Sequence, residues 1–288
     1  MTPAEYCQEK AARSGSSFYY SFMFLSPAQR HAMIALYAYC REVDDVVDEC
    51  DDPSIARVKL QWWRDELNRL YEGSPQHPVT KALAEYIEKY NLPMEHFLEV
   101  LDGMEMDLDI SEYPTFKELS LYCHRVASMV GIMSVEIFGY ENRGTLKYAH
   151  DLGMAFQLTN ILRDVREDAS LGRIYIPMDE LSRFNVSLDD VVSSRMTENA
   201  RELFAFQAQR ARGYYKKAFS HLPEEDRYQQ RSGLIMAAIY QTLLDEIEAD
   251  GFNVLQRRVK LTPLRKLWIA WRTARREKRH ARRLAIAH

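Results

Sequence analysis

Apolar residues recur at spacings of three and four along most of the chain, as in Met33, Leu36, Tyr37, Cys40, Val43 and Val47, and again in Leu152, Phe156, Leu158, Leu162 and Val165. That period puts them on one helix face, and no period-2 run competes for a strand. The punctuation agrees. Pro27 behind Ser26, Pro53 behind Asp52 and the Thr115/Glu118 pair read as helix starts, and Gly73 and Gly139 read as stops. About ten helices with short loops predict an all-α, single-domain helical bundle without internal repeats.

Two acidic clusters close such apolar runs: Asp44, Asp45 and Asp48 in one, Asn160, Asp164 and Asp168 in the other. Residues four apart share a helix face, so Asp44 and Asp48 point one way and Asn160, Asp164 and Asp168 form a ladder. Each stacked like-charge pair costs about 0.2–0.5 kcal/mol in an isolated helix, and acids at a helix C-terminus also oppose its dipole. One acidic helix end is ordinarily a solvated face; two with the same spacing point to a multivalent cation that reverses the sign. Oxygen donors without cysteine or histidine suit magnesium. Arg41 and Arg163 precede the acids, where guanidinium groups would clamp a diphosphate against such ions. A helix over residues 26–50 would span about 35 Å. With the second acidic helix beside it and both ends at one mouth, the carboxylates face each other across a cavity. The break at residues 169–177, with Gly172, Arg173, Tyr175 and Pro177, is placed to close over that mouth as a flap.

With 288 residues, 47% of them hydrophobic, the chain supports one sizeable core, and a single domain over 1–288 is expected. Cys7, Cys40, Cys50 and Cys123 show no C-x-x-C spacing, so neither a disulfide framework nor a zinc site is indicated and a cytoplasmic location fits. The first ten residues lack a secretion signal's apolar core, and no run of about 18 apolar residues suggests a membrane span. The net charge of −4 conceals an asymmetry: residues 256–288 carry twelve Lys or Arg against one acid, Glu277, a local +11 that leaves −15 on the remainder. Interleaved with Leu264, Leu267, Trp268, Ile269, Trp271 and Leu284, this basic amphipathic segment reads as a peripheral contact with the inner, anionic face of the membrane. The competing reading is a solvated terminal helix packed by its tryptophans. No nucleic-acid partner is expected, since the rest of the chain is strongly acidic.

Ser16-Ser17-Phe18-Tyr19-Tyr20, the run from Ala35 to Arg41 with the D-D-x-x-D that follows, Tyr122-Cys123 with Val126, Ala127 and Gly131, Gln157 through Asp168, and Arg173 through Pro177 together resemble the squalene and phytoene synthase family over nearly the whole chain. Residues 15–22, 103–108 and 261–268 look most similar to its bacterial presqualene diphosphate synthases of hopanoid biosynthesis. The resemblance implies an isoprenoid synthase fold with a central active-site cavity. It also implies head-to-head condensation of two farnesyl diphosphates to presqualene diphosphate with release of diphosphate. Two alternatives stay open: a phytoene synthase joining two geranylgeranyl diphosphates, and a squalene synthase that also reduces the intermediate with NADPH.

On the same resemblance, Asp44, Asp45 and Asp48 hold magnesium on one diphosphate and Asn160, Asp164 and Asp168 on the other, with two or three ions in all. Tyr37, Arg41, Tyr122, Arg163 and Tyr240 match catalytic positions, and Ser17, Phe18, Gln157, Arg173, Tyr175 and Arg258 match substrate-binding ones. Two features depart from the family. Ser14 and Ser16 stand where many relatives carry a histidine and a lysine, and Ser128 stands where glycine is frequent. NADPH is not expected, because there is no G-x-G-x-x-G after a strand and the chain lacks the terminal span of eukaryotic squalene synthases.

Ionising an allylic diphosphate separates a carbocation from a strongly anionic leaving group, so the main demand is electrostatic. The cation must then meet a second double bond before water does, inside a dry cavity lined by rings such as Phe18, Tyr37, Tyr122, Phe156 and Tyr240. Ordinary core packing is the bland account of each ring. The proton lost on ring closure has two candidate acceptors, a tyrosine and the released diphosphate.

Overall fold

The computed structural model describes residues 1–13, 18–50 and 52–287. Its helices, in order, are α1 (Pro3–Arg13), α2 (Phe18–Phe22), α3 (Pro27–Asp48), α4 (Pro53–Tyr71), α5 (Pro78–Ile87), α6 (Met94–Asp109) and α7 (Phe116–Cys123), then a π-helical turn (His124–Ser128). They continue with α8 (Met129–Phe138), α9 (Gly144–Ser170), α10 (Met178–Arg183), α11 (Leu188–Val192), α12 (Glu198–His221), α13 (Arg231–Ala249) and α14 (Pro263–Ala287). Among the described residues there is no strand, only an isolated bridge between Glu112 and Ile174.

The starts and stops follow side-chain chemistry. Ser26 opens α3 as half of a capping box with Gln29, Asp52 accepts from the Ser54 amide at 2.8 Å to open α4, and Thr115 and Glu118 form a second box at α7. Each cap satisfies amides that the helix leaves unpaired, worth about 1 kcal/mol. Gly73 (φ +79°) and Gly139 (φ +83°) take positive-φ backbone that favours glycine and end α4 and α8.

Two apolar clusters make the interior. One gathers α1, α3, α4, α6 and α8; the other gathers α9, α12 and α13 with residues 174–176. Phe18 and Val126 touch both, which marks the seam. Buried residues run round most of α9, including Tyr148, Leu152, Met154, Leu158, Ile161 and Val165, so it is the central helix. α14 packs on α13 and α2 through Ile269, Ala270 and Thr273, and buried Glu277 pins it by accepting from Arg227 at 2.7 Å.

Helices α7 and α8 and the π-turn between them form one continuous stretch, 116–138, that is long and apolar enough to cross a membrane. This departs from the expectation that no such run exists. Its packing is that of an interior helix: Leu119, Cys123, Ser128 and Met133 are buried against the α9 side of the bundle. The approach is close because Gly153 has no side chain; a Cβ there would lie 2.6 Å from Ser128 Cα and 2.8 Å from the Ala127 carbonyl oxygen. The Ser128 hydroxyl donates to the His150 carbonyl at 2.8 Å, so it stitches the two helices together. Gly153→Ala gains about 1 kcal/mol of helix propensity but pushes a methyl group into backbone, which costs about 1–3 kcal/mol in an unyielding core. Backbone yields less than side chains, so we expect a net loss and a melting temperature several degrees lower by calorimetry; an unchanged or higher value would contradict this packing.

Candidate active site

α3 and α9 carry their acidic C-terminal ends to the same mouth of a cavity of about 750 Å³. Asp44 and Asp48 line it from α3; Asn160, Asp164, Glu167 and Asp168 line it from α9. The i, i+4 spacing is the cause, since it keeps each ladder on one helix face. Asp45 is one residue out of register and does not line the cavity. It accepts from Arg41 at 2.5 Å and pairs with Lys10 of α1 at 2.7 Å, which removes the geometric basis for the metal-ligand role expected of it. Ser17 lies outside the described residues. The remaining predicted residues, Phe18, Tyr37, Arg41, Tyr122, Gln157, Arg163, Arg173, Tyr175, Tyr240 and Arg258, all line this one cavity.

Guanidinium groups hold the acids. Arg41 pairs with Asp44 as well as Asp45, and Arg163 and Arg258 both grip Asp164, the latter at 2.6 and 2.9 Å. Arg173 donates to Asp48 at 2.7 Å and to the Val47 carbonyl at 3.2 Å. Through that contact the segment after α9 crosses the mouth. It is seated: Gly172 (φ +77°) turns the chain, the Ile174 amide donates to the Ser111 carbonyl at 2.8 Å, and Ile174, Tyr175 and Ile176 are buried. The expected flap is thus a packed strap.

Asp107 of α6 was not among the predicted site residues. It accepts from the Tyr175 hydroxyl at 2.6 Å and the Tyr122 hydroxyl at 2.9 Å, and it faces Asp48, Asp168 and Arg173 across the cavity. Burial raises its carboxyl to about 6, against the opposing pull of its tyrosine partners and Arg173. Burial and then the charge of Asp48 lift Asp44 to about 7; burial, then Asp164 and Asp107, lift Asp168 to about 8. Burial and the charge on Asp107 push the Tyr122 and Tyr175 hydroxyls up, which keeps them protonated as donors. Lys266, at the start of α14, also lines the cavity, and burial with the charges of Arg163 and Lys260 pulls its ammonium down.

Much of the remaining lining is aromatic. Phe18 lies 6.0 Å from Tyr37, 6.1 Å from Phe156 and 6.2 Å from Tyr240, ring centre to ring centre, and Tyr122 stacks on Tyr175 at 5.0 Å. Phe156 supports Phe18 and Tyr240 from behind the cavity surface.

Among the described residues no three acidic, histidine or cysteine side chains converge into a ready metal cage. The donors nevertheless fit magnesium delivered with a phosphate, since that ion binds through one or two carboxylates and completes its shell with phosphate oxygens and water. Asn160 Oδ1 and Glu167 Oε2 are buried without a hydrogen-bond partner, and an unmet oxygen lone pair in a cavity wall is what a cation would satisfy.

The three raised carboxyls make stability depend on pH. A carboxyl whose folded value lies above its unfolded 3.8 favours the fold while protonated, and that contribution is lost as pH rises toward the folded value. His77, His96 and His124, all lowered from 6.5 by burial, act in the opposite sense in acid, so comparison with a variant isolates the effect. Asp168→Asn removes the raised carboxyl. Its melting temperature should gain on the parent protein as pH rises from 6.5 to about 8, and a constant difference would contradict the assignment.

A profile of the squalene/phytoene synthase family matches residues 11–265. The 15-cis-phytoene synthase of Synechocystis sp. is 35% identical over 282 residues, covering 93% of this chain and 84% of that protein. The phytoene synthase of Arthrospira platensis is 36% identical over 279 residues, covering 91% and 89%. Among solved structures, a dehydrosqualene synthase superposes with a TM-score of 0.84 at 27% identity, covering 96% of each chain. The squalene synthase HpnC from Alicyclobacillus acidocaldarius gives 0.77 at 28% identity, covering 87% and 95%. The expectation of two farnesyl diphosphates and a presqualene diphosphate product is therefore corrected: curated relatives at 34–36% identity over about nine-tenths of the chain are phytoene synthases. The stretches behind that expectation, residues 15–22, 103–108 and 261–268, are short local matches and do not measure tail length.

Proposed function

The chain belongs to the squalene/phytoene synthase family, and from that premise we propose that it joins two geranylgeranyl diphosphates head to head to give phytoene. The observation that carries the reading is the single cavity in which two acid-and-arginine clusters, on α3 and α9, face each other above an aromatic wall. The C20 length rests on the phytoene synthases among the relatives.

Asp44 and Asp48 on one side, and Asn160, Asp164 and Asp168 on the other, would hold magnesium; when bound, the ions neutralise charge on the departing diphosphate. Arg41, Arg163, Arg173 and Arg258 bring guanidinium groups to the same mouth, and Lys260 and Lys266 add ammonium groups that need no reorganisation as negative charge develops. The two prenyl tails would lie along Phe18, Tyr37, Tyr240 and the apolar residues Val100, Met104 and Val126, out of reach of water. Ring faces near the allylic cation contribute about 0.5–2 kcal/mol each and steer it without forming a bond. Two diphosphates and two protons leave for each hydrocarbon formed, so the reaction balances without a reductant.

Incubation with C15 or C20 allylic diphosphates and magnesium, with and without NADPH, followed by mass analysis, tests this. A C40 hydrocarbon from the C20 substrate, independent of NADPH, is expected. A C30 product formed from the C15 substrate with no reaction of the C20 one would overturn the tail length, and absence of pyrophosphate release from either would overturn the enzymatic reading.

A further inference from the structure

Helix α14 has two contrasting faces. One, with Ile269, Ala270, Thr273 and Glu277, is buried on α13 and α2; Lys266, on the same side, reaches the cavity. At 100° per residue Leu264, Trp268, Trp271 and Arg275 fall on the opposite side, with Leu267 beside them. Leu264 is 79% exposed, Trp268 55%, Trp271 51% and Leu267 38%, so the tryptophans do not pack the helix onto the bundle as one sequence reading had it. Large rings left in water at helical spacing call for an occupant.

Charge identifies it. α14 holds nine Lys or Arg and one acid, Glu277, which is buried and already committed to Arg227 and Arg276. Among the described residues, Arg272, Arg275, Lys278, Arg279, Arg282 and Arg283 have no acidic partner, whereas Arg265 is tied to Glu246. Arg272 lies over the Trp268 ring at 5.1 Å and Arg275 over Trp271 at 5.2 Å, which sets guanidinium heads beside indoles that reach outward. Indoles at headgroup depth flanked by arginines that extend to phosphates describe a helix lying in the interface of an anionic bilayer.

We propose that α14 docks the protein on an anionic lipid bilayer through Leu264, Leu267, Trp268 and Trp271, with Arg272, Arg275, Lys278 and Arg279 on the lipid phosphates. The docked helix separates the leaflet from the cavity by about its own diameter, ~10 Å, because Lys266 on its inner side lines the cavity rim. The docking itself stands on this surface alone and does not depend on which tail length the site accepts.

Co-flotation of the full chain with vesicles of phosphatidylcholine, alone or with a third replaced by phosphatidylglycerol, tests it. Binding to the anionic vesicles should exceed binding to the neutral ones at least about tenfold and weaken with added salt. Trp268→Ser with Trp271→Ser, and separately Arg272→Glu with Arg275→Glu, should each lower vesicle binding about tenfold or more. Unchanged melting temperature and unchanged turnover of detergent-dispersed substrate would show that both variants fold. Vesicle binding unaffected by either pair, equal binding to neutral vesicles, or retention on duplex DNA in place of vesicles would each overturn the proposal.

Discussion

Asp164→Asn is expected to lower kcat by about 10²–10³-fold, measured as pyrophosphate release at saturating substrate, because it removes charge where the reaction develops most of its own. Asp164 is the most heavily gripped acid in the cavity, holding Arg163 and Arg258 from two directions. The amide keeps the shape and one acceptor oxygen but cannot balance two guanidinium groups or a cation. Both arginines would swing onto the diphosphate unopposed, so substrate binding should fall less than turnover. Melting should change little, since Asp164 also repels Asp168 and that relief offsets the lost pairs. Turnover within a few-fold of the parent protein would count heavily against the opposed-cluster mechanism.

Asp107→Asn is expected to cost about 10- to 100-fold in activity, the range typical of groups that orient a charged centre from behind. Tyr122 and Tyr175 both donate to Asp107, and an asparagine offers one acceptor oxygen and a donor where there were two acceptors. One tyrosine hydroxyl loses its carboxylate acceptor, which weakens the inner anchor of the strap bearing Tyr175 and Arg173. If orientation is the role, turnover should fall together with a weaker grip of Arg173 on Asp48, seen as faster proteolysis at residues 171–173. Full activity with an intact strap would remove Asp107 from the site.

The helix ends were legible in the sequence because caps act over three residues: Ser26 with Gln29, Asp52 with Ser54, Thr115 with Glu118. The two ladders were legible for the same reason, since spacing places Asp44 and Asp48 on one face, but Asp45, expected as a ligand beside them, was set apart only by the structure. Asp107 left a faint signal, an acid completing the stripe of Val100 and Met104, but its meaning depends on tyrosines 15 and 68 residues away. Lys260 and Lys266 were submerged in a basic tail that reads as solvated, and only the folding of α14 against the cavity separates Lys266 from its neighbours. The strap looked like a free flap because Gly172 and Pro177 mark a break without saying what the break packs on. Tail length left no local trace, since a prenyl chain meets the side of a cavity assembled from α2, α3, α6, α9 and α13.

In the cavity Arg41 sits on Asp44, Arg163 on Asp164 and Arg173 on Asp48, and this pairing makes the two halves of the ligand interdependent. Magnesium alone must compete with Arg41, Arg163 and Arg173 for carboxylates, and pyrophosphate alone must compete with Asp44, Asp164 and Asp48 for guanidinium groups. Presented together, each releases what the other needs, so the presence of one raises the affinity for the other, and by linkage the enhancement is the same in both directions. Such mutual dependence would keep a cation-generating pocket inert until a complete metal–substrate complex has arrived.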